Sequence, residues 1–180
     1  MSTGRDEVFG GNGRKTARCV VVSIYEDLGG RELLLDLCDS LARTFKEELK
    51  FRFDWWRFKY LADPEIAMEA ALSAVRADLI LLAVQSSALP DHVEKWFEGW
   101  LPNRVAGDGA LVLVQPSREG ASSFFLPSSL RLTAKRARLD YLRLSSPGSP
   151  TGAPEMPPLQ PYINRLLADG EQPLHWGINE

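Results

Sequence analysis

In Asp78-Leu-Ile-Leu-Leu-Ala-Val84, the six residues after the aspartate are an unbroken apolar run, followed by Gln85-Ser-Ser. A run that short is a strand rather than a helix, and with no polar residue on either side of the pleat it is a strand covered on both faces. Such strands belong to parallel sheets flanked by helices. Two more segments share the character. Cys19-Val-Val-Val-Ser-Ile-Tyr25 precedes it and Ala110-Leu-Val-Leu-Val114 follows it.

The segments between these strands carry helical periodicity. From Arg31 to Leu49, the residues Leu34, Cys38, Leu41, Phe45 and Leu49 fall on one stripe at spacings of three and four, with Glu32, Asp36, Arg43 and Glu47 off it. Asp63-Pro64-Glu65 opens a second helix, with an acid to cap it and proline in the first turn. Pro90 to Leu101 forms a third, with Val93, Trp96, Phe97 and Trp100 on one side, and Pro102 ends it. A fourth runs from Ser128 to Arg136, because Pro127 is expected to stay outside it. Leu159 to Leu167 is a fifth. Phe51, Phe53 and Trp55 alternate with Arg52 and Asp54, as in a half-exposed strand, and Leu139 to Leu144 is the last strand.

Strand and helix therefore alternate five times. The expected architecture is a three-layer αβα sandwich, a doubly wound five-stranded parallel sheet in the order 2-1-3-4-5. Residues 1–17 form a polar, glycine-rich arm, 18–168 the domain, and 169–180 a tail. The stretch 145–158 carries five prolines and reads as a connection without regular structure.

Bulk properties exclude several classes. The chain of 180 residues has 44% hydrophobic and 25% charged residues, which suits one globular domain with a sizeable core. Its formal net charge of -3 gives no overall attraction to nucleic acid or anionic membrane. The first residues lack the apolar core of a signal peptide, and no run reaches the length of a membrane-spanning helix, so a cytoplasmic protein is expected. Cys19 and Cys38, the two cysteines, are expected as buried free thiols. Neither has a metal-ligand spacing to a partner, and no metal site is expected.

In such folds ligands sit at the carboxyl ends of the strands, near the switch point between strands 1 and 3. The candidates there are Glu26, Asp27, Gln85, Ser86, Gln115 and Ser117. Paired carboxylates suit a hard cation such as Mg²⁺, although an exposed turn or a helix cap explains them as well. Gly10-Gly-Asn-Gly-Arg-Lys-Thr16 is not a phosphate loop, since Arg14 separates Gly13 from Lys15 and the segment precedes the first strand. Flavin mononucleotide is also not expected. Its phosphate calls for a Ser/Thr/Gly-rich loop after strand 1, where this chain has Tyr25-Glu-Asp-Leu-Gly-Gly30 with two repelling carboxylates. Ser86, Ser87, His92 and Glu94 do not form a recognised nucleophile motif, and no cofactor is expected.

With its acidic pair Glu26-Asp27 after strand 1 and the hydrophobic strand 78–84, the pattern resembles response-regulator receiver domains of the flavodoxin-like class. The resemblance implies a phospho-acceptor Asp at the end of strand 3, but Ala83 stands there. It also implies a hydroxyl after strand 4, for which Gln115 or Ser117 is in place, and a Lys after strand 5, where Arg143 or Leu144 stands. The expectation that follows is a non-catalytic signalling or adaptor domain acting through protein–protein contacts, with a small enzyme or a ligand-binding domain using the strand-end crevice as the alternative. Candidate contact residues are Trp56 and Phe58 on the edge strand, the basic set Arg131, Lys135, Arg136 and Arg138, and Trp176 in the tail. A homodimer through strand 2 or helix 3 is a further expectation.

Overall fold

A computed structural model of the protein describes residues 16–104, 107, 109–116, 125–146, 159, 163 and 164. Strand β1 (Ala17–Tyr25) leads into α1 (Leu28–Thr44), then β2 (Leu49–Arg57), a 3-10 turn (Phe58–Ala62) and α2 (Pro64–Val75). After β3 (Leu79–Ala83) come α3 (Asp91–Trp100), a second 3-10 turn (Leu101–Asn103), β4 (Ala110–Pro116), α4 (Phe125–Arg136) and β5 (Asp140–Ser146). The five strands form one parallel sheet in the order β2-β1-β3-β4-β5. Val21 pairs with Phe53 on one side and with Leu79 on the other, and Leu79 with Ala110. All five residues of β3 are buried, as a central parallel strand requires.

The sheet divides the core in two. One face packs Val22, Ile24, Ile80, Leu82, Leu111 and Leu113 under α2, α3 and α4. The other packs Cys19, Val21, Leu79, Leu81, Ala83 and Val112 under α1, with Leu159 and Ile163 beside it. Leu159 and Ile163 are all that is described of the apolar face of the fifth helix, and the Ile163 N–H donates to the Leu159 carbonyl at 3.1 Å. The N-terminal arm up to residue 15, the stretch 147–158 and the tail 169–180, Trp176 included, lie outside the described residues.

Three boundaries differ from the sequence expectation. Helix α1 starts at Leu28, because Asp27 caps it by accepting from Gly30 N at 2.8 Å, and Gly29-Gly30 form its first turn rather than a loop. It stops at Thr44, which leaves Leu49 to start β2 opposite Ala17. Helix α4 starts at Phe125, with residue 127 in its first turn, where a proline has no intrahelical N–H to lose.

At the amino-terminal end of β3, Asp78 locks the sheet. Its Oδ2 accepts from Val20 N at 2.7 Å, and its own N–H donates to the Val20 carbonyl. Burial raises its carboxyl above the usual range, against the opposing pull of the Val20 N–H and the Arg104 charge. Arg104 in turn donates to the carbonyls of Ala74 and Ala77.

Cys19 and Cys38 are buried free thiols, as expected. Burial, helped by the Asp78 charge, pushes Cys19 up to about 12. Burial pushes Cys38 up to about 11, with the Ser23 hydroxyl opposing and Asp39 adding to it. Only a thiolate attacks a disulfide reagent. A thiol titration with an aromatic disulfide at mildly alkaline pH is therefore expected to find no reactive thiol in the native protein and both after unfolding. A fast-reacting thiol in the native state would contradict the burial.

Candidate strand-end site

The residues at the carboxyl end of the sheet meet across the switch point. The carboxylate of Glu26, just past β1, reaches the segment that follows β3. Its Oε2 accepts from Gln85 N at 2.7 Å and from Ser86 N at 2.9 Å, and the Ser86 hydroxyl donates to its Oε1. Asp27 adds a second bridge, since its Oδ1 accepts from Gln85 Nε2 at 3.0 Å while also capping α1. Thus Glu26, Asp27, Gln85 and Ser86 form one cluster that ties residues 26–27 to residues 85–86. The Glu26 carboxylate holds two consecutive backbone N–H groups, the arrangement that an incoming anion would otherwise take.

The two glycines at the start of α1 lie close against the cluster. A Cβ on Gly29 would stand 2.6 Å from Gln85 Nε2, and one on Gly30 would stand 3.1 Å from the Cβ of Ala83. Ala83 lies fully buried beneath the first turn of α1. A carboxylate at that position would have no room and no solvent, so its absence is a matter of packing as much as of chemistry.

Gln115 is half-buried near the end of β4, opposite Ser145 of β5 and on the same edge of the sheet as the cluster. Ser117 lies outside the described residues. His92 does not serve the serines: its Nε2 is 2.9 Å from the Phe58 carbonyl. Among the described residues no group of three or more His, Cys, Asp or Glu could hold a metal. The acidic pair is already engaged with amide and hydroxyl donors.

Sequence reasoning missed three neighbours of the cluster. Arg57, the last residue of β2, donates from Nε to the Glu26 carbonyl at 3.4 Å. Tyr25 and Trp55 meet edge to face, with centroids 6.5 Å apart, at the ends of β1 and β2. The pairing of Tyr25 with Arg57 follows from the parallel register, which the amino-acid pattern alone does not set for an edge strand.

The expected contact residues separate into two groups. Arg131, Lys135, Arg136 and Arg138 are exposed, and the Arg131 guanidinium sits 5.7 Å from the centre of the Tyr141 ring. Of the edge-strand pair, Phe58 is corrected. Phe58 starts the 3-10 turn instead of continuing β2, which turns it into the core, 3% exposed. Trp56 is half-buried against the same core, with its indole N–H buried. On helix α3, Val93, Trp96, Phe97 and Trp100 are buried, while Asp91, Glu94, Lys95 and Glu98 are exposed.

No protein-family model matches the chain, and no curated protein does. Solved structures do. An oxidoreductase from Corynebacterium diphtheriae matches with a TM-score of 0.55 at 14% identity, over 86% of this chain and 96% of that one. The two-electron reduced flavodoxin of Megasphaera elsdenii matches at 16% identity over 83% and 98% of the two chains, with a TM-score of 0.47. General stress protein 14 of Treponema denticola, solved in complex with FMN, matches at 13% identity over 84% and 95%, also with a TM-score of 0.47. The first of these is an oxidoreductase rather than a receiver, and this overturns the expectation of a degenerate receiver acting as an adaptor. No helix among the described residues is long and apolar enough to cross a membrane. Strand order, the crossings on both faces and the structural match together establish that the chain has a flavodoxin-like fold.

Proposed function

We propose that the chain is a small-molecule-binding domain whose ligand sits in the strand-end crevice at the switch between β1 and β3, and that this ligand carries N–H or O–H donors and no phosphate. The observation behind this is the acceptor character of the crevice. Glu26 and Asp27 are half-buried side by side, and Asp27 Oδ2 accepts no hydrogen bond among the described residues. The edge-to-face pair Tyr25 and Trp55 offers apolar surface nearby. A neutral or cationic ring compound matches such a lining.

The FMN bound by the Treponema denticola neighbour is a poor match for these residues. A phosphate at the start of α1 would need the Gly30 N–H, which Asp27 already holds. At the next loop it would need the N–H groups of Gln85 and Ser86, which Glu26 holds. Two carboxylates would also lie against the phosphate charge, in a partly buried place where repulsion is weakly screened.

Native mass spectrometry with riboflavin, FMN, nucleosides and amines tests the proposal. A non-phosphorylated compound is expected to bind better than its phosphorylated counterpart, and Asp27→Asn is expected to weaken that binding about tenfold, the loss of one charge-assisted hydrogen bond. FMN bound in preference to riboflavin would overturn it.

A further inference from the structure

Helix α2 has apolar side chains on its outer side as well as on its inner one. Ala70 and Ala74 are buried against the sheet, and Trp96 of α3 donates its indole N–H to the Ala67 carbonyl. On the outer side, Met68 is 62% and Leu72 60% exposed, and Tyr60 in the 3-10 turn before the helix is 48% exposed. A helix of a monomeric domain normally turns a polar face to water. Here the outward stripe is Glu65, Met68, Glu69, Leu72 and Arg76, which the 3.6-residue period brings onto one face. Its charges are spread along it: Glu65 is at the amino end, Glu69 near the middle and Arg76 at the carboxyl end. None of the three makes an ion pair among the described residues.

We propose that this stripe is the contact between two copies of the chain, an antiparallel α2–α2 pair on a two-fold axis near Ala70. A stripe with Glu65 at one end, Arg76 at the other and Met68 and Leu72 between them, Glu69 beside these, has complementary ends when reversed. In that arrangement Met68 faces Leu72 of the second copy, and Arg76 meets Glu65 at both ends. A two-fold contact uses the same patch twice, so each charge pair forms twice. No such match exists for a parallel pairing, which would set Glu65 on Glu65 and Arg76 on Arg76. One helix pair with its flanking side chains reaches the small end of specific interfaces, roughly 1,000–1,200 Å² in total, so the dimer dissociates on dilution. The face lies on the α2, α3 side of the sheet, away from α1, and leaves the strand-end crevice open.

Sedimentation velocity of the full chain over a range of concentrations tests this. The mass is expected to rise from that of one chain to that of two. Leu72→Lys is expected to weaken association by about tenfold or more, as for a central apolar contact. Arg76→Glu is expected to weaken it also, and Glu65→Arg combined with Arg76→Glu to restore it. The substituted positions are all exposed, and unchanged thermal midpoints would confirm that the variants fold. A monomer at every concentration overturns the proposal. So does a dimer indifferent to Leu72→Lys, or a double charge reversal that fails to rescue the single one.

Discussion

Replacing Trp100 by alanine is expected to lower the stability of the domain by about 3–5 kcal/mol, the range for removing a buried aromatic side chain. That is a large share of the roughly 5–15 kcal/mol that holds an ordinary domain together. Trp100 is among the largest fully buried side chains, packed with Trp96 at 5.6 Å and Phe97 at 5.9 Å between ring centres. These rings join α3 to the rest of its core. The indole N–H is buried without a partner among the described residues. Trp100→Phe is therefore expected to cost less than about 1.5 kcal/mol, since the ring stack survives and the unpaired donor disappears. Urea unfolding followed by far-ultraviolet circular dichroism measures both. Equal losses for the two variants would mean that the indole N–H is satisfied and that the hydrogen bond, not the ring, is what matters.

Glu26→Ala is expected to cost about 2 kcal/mol, because it strands the N–H groups of Gln85 and Ser86 and the Ser86 hydroxyl together. Ser86 is exposed, so water replaces part of what is lost, and this keeps the figure below that of a buried charge. For a chain of this length the thermal midpoint should fall by roughly 4–8 °C. The amides of Gln85 and Ser86 should exchange faster, while those of β3 remain protected. Glu26→Gln keeps an acceptor and should lose less. A midpoint unmoved by Glu26→Ala would show that the bridge between the two loops adds nothing to the fold.

The central strands were legible because burial on both faces writes a continuous apolar run, and β1, β3 and β4 each have one. The alternation of strand and helix then limits the topology to a few doubly wound orders, of which the observed one is common. What the amino-acid pattern did not reveal depends on distant partners. Glu26 and Ser86 are 60 residues apart, and two of the donors to Glu26 belong to the backbone, which leaves no mark in residue identity. Gly29 and Gly30 look like a turn until Asp27 is seen to cap the helix over them. Phe58 continues the aromatic pattern of β2, yet the chain bends one residue earlier. The absence of an acid at Ala83 was visible, but the close approach of Gly30 to it was not. The exposed apolar side of α2 was hidden in a helix rich in alanine, where either face passes for the core.

Strand order also governs how the sheet is completed during synthesis. After β2 has paired on the outer side of β1, every later strand is added on the other side, in chain order. Growth is one-directional, and each stage ends on an unpaired strand. The most hazardous stage is the one that ends on β3, whose five residues are all apolar and whose far edge waits for Ala110–Pro116 to arrive. A nascent or truncated chain that stops before residue 110 offers that edge to any other strand it meets, which makes this interval the natural point for aggregation or chaperone capture.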